Sequence, residues 1–362
     1  MKIAQIAPPW ITIPPHNFGG TENALFHLIE EQVAQGHEVT LFATADARTS
    51  AHLISFIPAS LVSEGVPWQA GMKAYYHLHK SIEYISSHQF DIVHTHLSSS
   101  GDMYLFPLLA DLNTPHVTTL HSHFPFDRSI GPWVGDADAY FMEWARQVPL
   151  ITISEHARRN PLPDNVIGTV HHGIQTDRYR PLTEENGDYF LWLGRFSYEK
   201  GAHLAIEAAR RAGVPLVLAG IKEPHKPESV QYYKHMIEPY LDGKQIRYVG
   251  PVSHQQKVEL LSQARGLLHP IVWDEPFGMV LIEAMATGCP IIATPRGATP
   301  EIVKHEQTGF LARSVDEIVD CIPRITEIDR RAVREHAEKY FSAPTMVENY
   351  VHIYKQIIAS HK

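Results

Sequence analysis

The sequence predicts an α/β protein of two domains, each built around a parallel β-sheet. The first observation behind this prediction is length, because 362 residues are about twice the usual domain size. The second is the alternation of short apolar, β-branched runs with helical patterns, which is typical of βαβ units. The third is that this alternation starts again halfway along the chain, so we expect two similar domains in succession.

The first half begins with a strand predicted at residues 2–7, a loop rich in proline and glycine, and a helix at residues 21–35. Thr21 is a suitable N-cap for this helix, and apolar side chains recur after it at core-facing spacings. These side chains are Leu25, Leu28, Ile29 and Val33. The remaining strands of this half are predicted at residues 38–43, 91–94, 116–120 and 150–154.

The second half repeats the alternation, starting with a strand predicted at residues 189–193 and a helix at residues 199–212. The later strands are predicted at residues 215–219, 246–249, 266–269 and 290–293. A polar, proline-interrupted stretch at residues 177–188 predicts a linker. We therefore expect a first domain at residues 1–175, a second at residues 176–340, and a C-terminal helix at residues 341–362 that packs back on the first domain.

Composition is that of an ordinary globular protein, with 44% hydrophobic and 20% charged residues. The cysteines, Cys289 and Cys321, are too few for a secreted disulfide framework, so we expect a reducing, cytoplasmic environment. Proline interrupts the N-terminal apolar stretch too early for a signal peptide, and no run of about 18 apolar residues is present. The sequence therefore predicts neither an export signal nor a transmembrane segment.

Negative charge is concentrated in the first half of the chain. The net charge is −9, and residues 1–175 contain 8 Lys and Arg against 16 Asp and Glu. An acidic surface repels phosphodiester backbones and anionic lipid headgroups, which disfavours nucleic acid and membrane surfaces as partners.

The most informative segment is DEPFGMVLIEA, at residues 274–284. Proline and glycine mark a loop that leads into a helix predicted at residues 279–286, and the free amides at the start of that helix suit an anionic diphosphate. Glu275 and Glu283 lie on the order of 12 Å apart if helical rise applies throughout. One carboxylate would then face a sugar's hydroxyls and the other a ribose. A buried helix behind a solvated loop glutamate is the purely structural alternative.

Two further segments follow predicted strands. In GRFSYEKG, at residues 194–201, Arg195 and Lys200 lie on a strand-to-helix turn and can clamp a pyrophosphate, although a solvated basic turn has the same pattern. Gly19 and Gly20 precede the first helix, where glycines allow a backbone to approach a ligand closely. Paired glycines most often only form a turn.

In these residues the chain resembles a large family of retaining glycosyltransferases with the GT-B fold, which is called family 4 or group 1. Members of this family carry a Glu-x7-Glu motif, which Glu275 and Glu283 match. The resemblance covers nearly the whole chain and implies two Rossmann-like domains whose parallel sheets face each other across a cleft. It implies that Glu275 binds the donor sugar's hydroxyls and that Glu283 binds the ribose. The phosphates are then bound by backbone amides near Gly278, Met279 and Val280, and Phe277 is a further residue of the donor site.

The same resemblance implies roles for the other segments. Arg195 and Lys200 match the family's Gly-Arg-x4-Lys-Gly pattern, in which the cations bind the diphosphate. Gly19 and Gly20 match a first-domain loop that faces the donor phosphates and the acceptor. The nucleotide base is expected at backbone groups around Val249. The implied catalytic residues are Glu275, His121, Arg195 and Lys200, with His121 near the reacting sugar.

Histidines are unusually frequent in the first half, where they occur as three close pairs, two of them at the ends of predicted strands. A metal site is one interpretation, but the pairs do not supply the carboxylate-rich set of an octahedral site. Hydrogen-bonded histidines lining a cleft are favoured, and we expect neither a metal nor a cofactor. The pairs, whose roles the sequence leaves open, are His94 and His96, His121 and His123, and His171 and His172.

Two segments depart from the family pattern. Where the family has Asn-Gly-Val-Asp, this chain has HGIQ at residues 172–175, so the polar role of that aspartate is lost or moves to Asp177. The Gly-Gly-x-Pro-Glu loop becomes RGATPE at residues 296–301, and Arg296 either contacts a substrate or lies on the surface.

The resulting expectation is a retaining, metal-independent hexosyltransferase. The donor is a nucleotide-diphosphate sugar, with a UDP-sugar such as UDP-glucose favoured over GDP-mannose, and the acceptor is a hydroxyl of a soluble small molecule or saccharide. The departing phosphate oxygen takes the acceptor's proton, so no enzyme base is required. The alternatives are a sugar-nucleotide epimerase or phosphorylase on the same scaffold, or a non-catalytic nucleotide-sugar-binding protein. The sequence leaves the oligomeric state open.

Overall fold

The chain forms two compact units. The first comprises Met1–Gly173 and Ala343–Lys362, and the second comprises Ile174–Ser342, so the stretch expected as a linker begins inside the second unit. The computed structural model describes residues 1–16, 19–67, 71–122, 142–159, 164–181, 187–223 and 226–361, without the side chains of Ser100 and Met103. His123, one of the paired histidines, lies outside these residues.

The first unit is built around a seven-stranded parallel sheet. In chain order its strands are β1 (Lys2–Ile6), β2 (Glu38–Phe42), β3 (His52–Ile54), β4 (Ile92–Leu97), β5 (His116–Leu120), β6 (Leu150–Thr152) and β7 (Val166–Thr169). They lie in the sheet in the order β3-β2-β1-β4-β5-β6-β7. The described helices that connect them are α1 (Gly20–Ala34), α2 (Gly71–Ser86), α3 (Leu105–Ala110) and α4 (Glu155–Arg158).

Helices cover both faces of this sheet, so its central strands are buried, polar residues included. All six residues of β4 are buried. On one face, side chains of α2 and α3 pack against β1, β2 and β4, and on the other face α1 packs against β2. The register places Ile3 beside Ile92 and Ala4 beside Val93, which makes β1 and β4 neighbours.

Helix α1 begins one residue earlier than expected. Its N-cap is Gly19, with a φ of 144°, so the prediction that Thr21 caps the helix is wrong. A side chain at Gly19 would be strained at this φ, and an added Cβ would also lie 2.8 Å from Oε2 of Glu22. Gly19 therefore occupies the N-cap position, without a side-chain hydrogen bond to the helix. Of the four predicted core positions, Leu25, Leu28 and Ile29 are buried and Val33 is partly buried.

The second unit repeats the architecture with a six-stranded parallel sheet. Its strands are β8 (Phe190–Arg195), β9 (Leu216–Ile221), β10 (Ile246–Tyr248), β11 (Gly266–His269), β12 (Ile291–Ala293) and β13 (Gly309–Leu311), in the order β10-β9-β8-β11-β12-β13. Its helices are α5 (Ala202–Ala212), α6 (Pro227–Met236), α7 (His254–Gln263), α8 (Met279–Ala286), α9 (Thr299–Ile302), α10 (Val315–Arg324) and α11 (Arg330–Tyr340). The predicted α/β class with two parallel sheets is confirmed.

One helix of this unit is shorter than expected. The prediction was a single helix at residues 199–212, but Tyr198–Lys200 form a 3₁₀ turn and α5 starts at Ala202. Gly201 separates the two with a φ of 69°, a left-handed conformation that a continuous α-helix does not contain. This break fixes the position of the turn that carries Lys200.

The chain ends in helix α12 (Ala343–Ser360), which belongs to the first unit. Val347, Tyr350 and Tyr354 recur at helical spacing and pack against β1, β4 and β5, together with Leu28 of α1. Helix α12 thereby covers the part of this sheet face that α1 does not cover. Within the described residues, the helices are all too short or too polar to cross a bilayer.

Candidate active site

Topology brings two loops of the second unit together. Strands β8 and β11 are neighbours, whereas β9 lies on the other side of β8, so the strand order reverses at β8. Open α/β sheets bind ligands at the carboxyl ends of the strands beside such a reversal. The segment after β8 carries Lys200, and the loop after β11 carries Glu275. The two charges expected to bind a donor therefore lie on adjacent loops.

Lys200 and Glu275 form an ion pair at this edge. The Lys200 ammonium donates to Oε2 of Glu275 at 2.5 Å, and both side chains are mostly buried. The indole N–H of Trp273 donates to the same oxygen at 3.2 Å. The Lys200 ammonium also lies 4.7 Å from the centre of the Trp273 ring, within the range of a cation–π contact. The carboxylate is thus held by two donors.

These contacts determine the charge of Glu275. Burial acts to raise its pKa, but attraction to Lys200 and hydrogen bonds from Lys200 and Trp273 outweigh burial and hold the pKa below its ordinary value. Glu275 is therefore ionised at neutral pH and accepts hydrogen bonds. Burial lowers the pKa of His269 to about 4, so this neighbour is neutral.

The RGATPE loop supports the backbone of Glu275. The amide of Ala298 donates to the carbonyl oxygen of Glu275 at 2.8 Å. Gly297 has a φ of 57°, and a Cβ there would lie 2.2 Å from that same oxygen. Only glycine permits so close an approach of the two loops. The neighbouring Arg296 side chain is exposed.

Glu283 is buried on α8, and two groups donate to its Oε1. The Tyr179 hydroxyl does so at 2.9 Å, and the ammonium of Lys257 forms a short contact with the same oxygen. The sequence around Glu283 does not reveal either partner, because Tyr179 and Lys257 lie far from Glu283 along the chain. These two donors hold the carboxylate in place in the second half of α8.

The start of α8 has the geometry of an anion site. The helix begins at Met279, as predicted, and its N-cap is Gly278 with a φ of 99°. The first amides of a helix have no acceptors within it, and they carry the positive end of its dipole. The Phe277 side chain is buried and contacts the ring of Phe341 edge-on. Only backbone groups and half-buried side chains, including Val280, are then offered to a ligand.

Arg195 points to a different partner from Lys200. Its Nη1 lies 3.4 Å from both carboxylate oxygens of Glu223, and its Nη2 lies 3.9 Å from Glu199. The structure thus pairs each of the two predicted phosphate cations with a carboxylate. Val249, the residue expected near the base, follows β10 and is 47% exposed.

The first unit has its own reversal of strand order, at β1 and β4. The loops after these strands meet where the Trp10 indole N–H donates to Oδ1 of Asp102 at 2.9 Å. Glu22, in the first turn of α1 beside Gly19, is 3% exposed. Burial raises its pKa to about 8, and repulsion from Asp102 contributes to this shift. Glu22 was visible in the Gly-Gly-Thr-Glu segment but had no predicted role.

His121 lies directly after β5 and is buried. Its ring is hydrogen-bonded on both sides by other histidines, His96 and His172. The His94 ring contacts Tyr354 of α12 at 2.6 Å. Within the ranges that the structure describes, no three histidine, cysteine or acidic side chains come together to hold a metal ion.

Gln175 stands where the family's Asn-Gly-Val-Asp segment has its aspartate, and Asp177 is the nearby carboxylate expected to replace it. Asp177 is exposed, and its carboxylate accepts hydrogen bonds from Arg180, with the shorter contact at 2.6 Å. The expectation that a polar role moves to Asp177 gains no support from these contacts.

Trp273, a partner of Glu275, has no predicted role in the sequence. An aromatic side chain two positions before Glu275 was the available signal, but the direction of its N–H follows only from the folded loop. The partners of Glu283, Tyr179 and Lys257, were missed for the same reason.

Two family models together span most of the chain. Residues 18–178 match the model for glycosyltransferase family 4, and residues 174–340 match the model for glycosyl transferases group 1. A glycogen synthase of Mycobacterium tuberculosis (strain CDC 1551 / Oshkosh) is 30% identical over 207 residues, which are 52% of this chain and 48% of that protein.

Solved structures share the whole architecture. Sucrose-phosphate synthase from Thermosynechococcus elongatus superposes with a TM-score of 0.79 at 20% identity, covering 99% of this chain and 100% of that chain. Anabaena Alr3699/HepE in complex with UDP and glucose superposes with a TM-score of 0.72 at 19% identity, covering 98% of this chain and 99% of that chain. The chain is therefore a member of glycosyltransferase family 4, with the GT-B fold.

Proposed function

We propose that this glycosyltransferase is a retaining hexosyltransferase that uses a nucleotide-diphosphate sugar and a soluble acceptor hydroxyl. The observation that carries the proposal is the contact between Lys200 and Glu275. A cation suited to a leaving diphosphate and an ionised carboxylate suited to sugar hydroxyls lie side by side where α/β sheets bind ligands.

The proposed roles follow from charge and hydrogen-bonding capacity. Lys200 and Trp273 both donate to Oε2 of Glu275, so Oε1 is the atom we assign to a sugar hydroxyl. The buried carboxylate of Glu283 is assigned to the ribose. The contacts of Arg195 to Glu223 are long, at 3.4 Å, so exchange of Glu223 for a phosphate costs little.

The proposed reaction needs no protein base. The bond between the anomeric carbon and the phosphate oxygen breaks while a bond from the acceptor oxygen forms on the same face of the sugar. The acceptor's proton passes to the departing phosphate oxygen. Negative charge then grows on the diphosphate, where Lys200, Arg195 and the amides at the start of α8 stabilise it. We propose that these groups replace a metal ion.

The favoured donor is UDP-glucose, with GDP-mannose second. A fold neighbour crystallised with UDP and glucose supports this order. The acceptor proposal depends on charge, because the first 175 residues contain twice as many acidic as basic side chains, 16 against 8. This balance favours a neutral or cationic acceptor over an anionic lipid.

The test is to incubate the protein with UDP-glucose, GDP-mannose or ADP-glucose, each with a panel of soluble sugars and alcohols, and to measure released nucleoside diphosphate. We expect release from UDP-glucose that increases with a suitable acceptor. Proton NMR of the product should show the anomeric configuration of the donor, and activity should persist in excess EDTA.

Each competing function predicts a different outcome. Conversion of the donor to an epimer without nucleotide release would identify an epimerase, and phosphate-dependent cleavage of a glycoside would identify a phosphorylase. Tight binding of donors without any release would identify a binding protein. An inverted anomer or loss of activity in EDTA would refute the corresponding part of the proposal.

A further inference from the structure

A tyrosine, a lysine and a glutamate form a mostly buried cluster inside the second unit. Oε1 of Glu283 accepts hydrogen bonds from the Lys257 ammonium and from the Tyr179 hydroxyl, the latter at 2.9 Å. The ammonium also lies 5.6 Å from the centre of the Tyr179 ring, within the range of a cation–π contact. We call these three residues the Glu283 cluster.

The surroundings of Glu275 repeat this arrangement. Lys200 and Trp273 both donate to Oε2 of Glu275, and the Lys200 ammonium lies 4.7 Å from the centre of the Trp273 ring. In both places a lysine and an aromatic donor share one carboxylate oxygen, and the aromatic ring lies beside the ammonium. The second unit therefore pairs each of its two sugar-binding carboxylates, as proposed above, with a lysine.

The Glu283 cluster lies close to the amides that begin α8. Glu283 is the fifth residue of this helix, so helical rise places it about 6 Å along the axis from Met279. Lys257 lies in the first half of α7, which follows β10, and it approaches Glu283 from that side. A ribose whose diphosphate binds at the start of α8 is therefore within reach of both charged groups.

Lys257 has hydrogen-bonding capacity left for a ligand. An ammonium group carries three N–H donors. Among the residues that the structure describes, Glu283 is the hydrogen-bond acceptor of the Lys257 ammonium, and no second acceptor is present. The Lys257 side chain is 19% exposed, so it is shielded from most of the solvent but still accessible. Hydrogen bonds from a charged group are strong in such surroundings.

A carboxylate beside an ammonium matches the chemistry of two neighbouring hydroxyl groups. Each hydroxyl both donates and accepts, whereas a carboxylate only accepts and an ammonium only donates. The pair can therefore bind one hydroxyl through its hydrogen and the next through its oxygen. The 2′ and 3′ hydroxyls of a ribose are such neighbours, and a deoxyribose lacks at least one of them.

We propose that Lys257 is a specificity-determining residue, whose ammonium donates to one hydroxyl oxygen of the donor ribose while Glu283 accepts from the neighbouring hydroxyl. The second unit thereby selects ribonucleotide donors over deoxyribonucleotide donors. This inference rests on the proposed function, in which Glu283 binds the ribose. Tyr179 is a positioning residue, because its hydroxyl holds Glu283 while its own ring is 1% exposed and packs edge-on against His254.

The test is calorimetric binding of UDP and of 2′,3′-dideoxy-UDP to the wild type, Lys257→Met and Lys257→Gln. Methionine retains an unbranched side chain without the ammonium, and glutamine retains an N–H donor without the charge. Lys234→Met is the matched control, because Lys234 is an exposed lysine on α6 of the same unit. The two ligands share base and diphosphate, so the ratio of their affinities isolates the contribution of the two hydroxyls.

We expect the wild type to bind UDP about tenfold to a hundredfold more tightly than 2′,3′-dideoxy-UDP, because the missing hydroxyls leave two charged groups without their hydrogen bonds. Lys257→Met should lower this preference by about tenfold, as the loss of one hydrogen bond to a charged group does. Lys257→Gln should retain part of the preference, and Lys234→Met should retain all of it.

Two results would overturn the role of Lys257 and leave the proposed function intact. One is a preference for UDP in Lys257→Met that equals that of the wild type. The other is an equal weakening of both ligands, which would mean that the ammonium acts on the diphosphate through its charge alone. If Lys257→Met does not fold, Lys257→Gln decides by the same two criteria.

The wild type by itself tests the assumption beneath this inference. Equal affinity of the wild type for UDP and 2′,3′-dideoxy-UDP would refute the assignment of Glu283 to the ribose, and the role of Lys257 with it. A wild type that binds neither ligand would refute the proposed UDP-sugar donor.

Discussion

The ammonium of Lys200 donates to Oε2 of Glu275 at 2.5 Å, although 75 residues separate the two in sequence. Their proximity follows from strand order, because β8 and β11 are neighbours in the sheet and the two residues lie on the segments after them. The two charges are mostly buried, and Trp273 holds the same carboxylate oxygen in place.

Replacement of Lys200 by alanine should lower turnover far more than donor affinity. In the proposed reaction the lost ammonium stabilises charge that grows on the diphosphate only as the sugar leaves, and removal of such a group costs about a hundredfold to a thousandfold in kcat. Turnover of UDP-glucose and calorimetric UDP binding measure the two effects. Lys244→Ala, which removes an exposed cation of the same unit, is the control. Equal turnover in Lys200→Ala and the wild type would refute the proposal that Lys200 stabilises the leaving diphosphate.

Trp273→Phe should lower kcat/KM by about tenfold, which is the loss expected when one hydrogen bond to a charged group is removed. The substitution retains an aromatic ring beside the Lys200 ammonium but removes the N–H that holds Oε2 of Glu275. Trp273→Leu removes both contacts and should cost more. Initial rates over a range of UDP-glucose concentrations measure the effect. If Trp273→Phe matches the wild type, the indole N–H does not position Glu275.

Gly297→Ala should displace the Glu275 loop. A Cβ at Gly297 would lie 2.2 Å from the Glu275 carbonyl oxygen, and the φ of 57° is itself unfavourable for alanine. Gly213→Ala is the matched control, because its φ of 68° is similar but a Cβ there meets nothing within 4 Å. Thermal unfolding should show about 1 kcal/mol lost in the control and a larger loss, with weaker UDP-glucose binding, in Gly297→Ala. Equal losses in the two variants would contradict the close approach.

Glu22→Gln should stabilise the protein at pH 8 but not at pH 5. Burial raises the pKa of Glu22 from 4.5 to about 8, so the folded state binds the proton more tightly than the unfolded state. The contribution of Glu22 to stability is therefore complete below pH 4.5 and is lost as the pH rises toward 8, at about 1.4 kcal/mol per pH unit. Glutamine does not titrate, so the variant escapes this loss.

Denaturant unfolding of the wild type and Glu22→Gln at pH 5 and pH 8 checks this sign. Glu38→Gln is the control, because the Glu38 side chain is 70% exposed. A difference between wild type and Glu22→Gln that stays constant across this pH range would mean that Glu22 is not protonated in the folded protein.

Local signals determined much of the fold. Residues 279–286 were predicted as a helix and form α8, because a proline and glycine entry and an apolar run act within one turn of the chain. The parallel sheets followed from the same kind of short-range pattern. Thr21 and the helix at residues 199–212 were mispredicted where glycines at positive φ, Gly19 and Gly201, replaced or interrupted helical backbone.

Residue type and spacing over a few positions are enough to predict the fold class, the family resemblance and the identity of the charged residues. Which of these residues meet follows from the folded chain. It joined Lys200 to Glu275, directed Arg195 to Glu223, and aligned His172, His121 and His96 in one row. The physical reason is that such contacts depend on strand order and on the direction of individual donor and acceptor atoms, and neither is encoded by local sequence pattern.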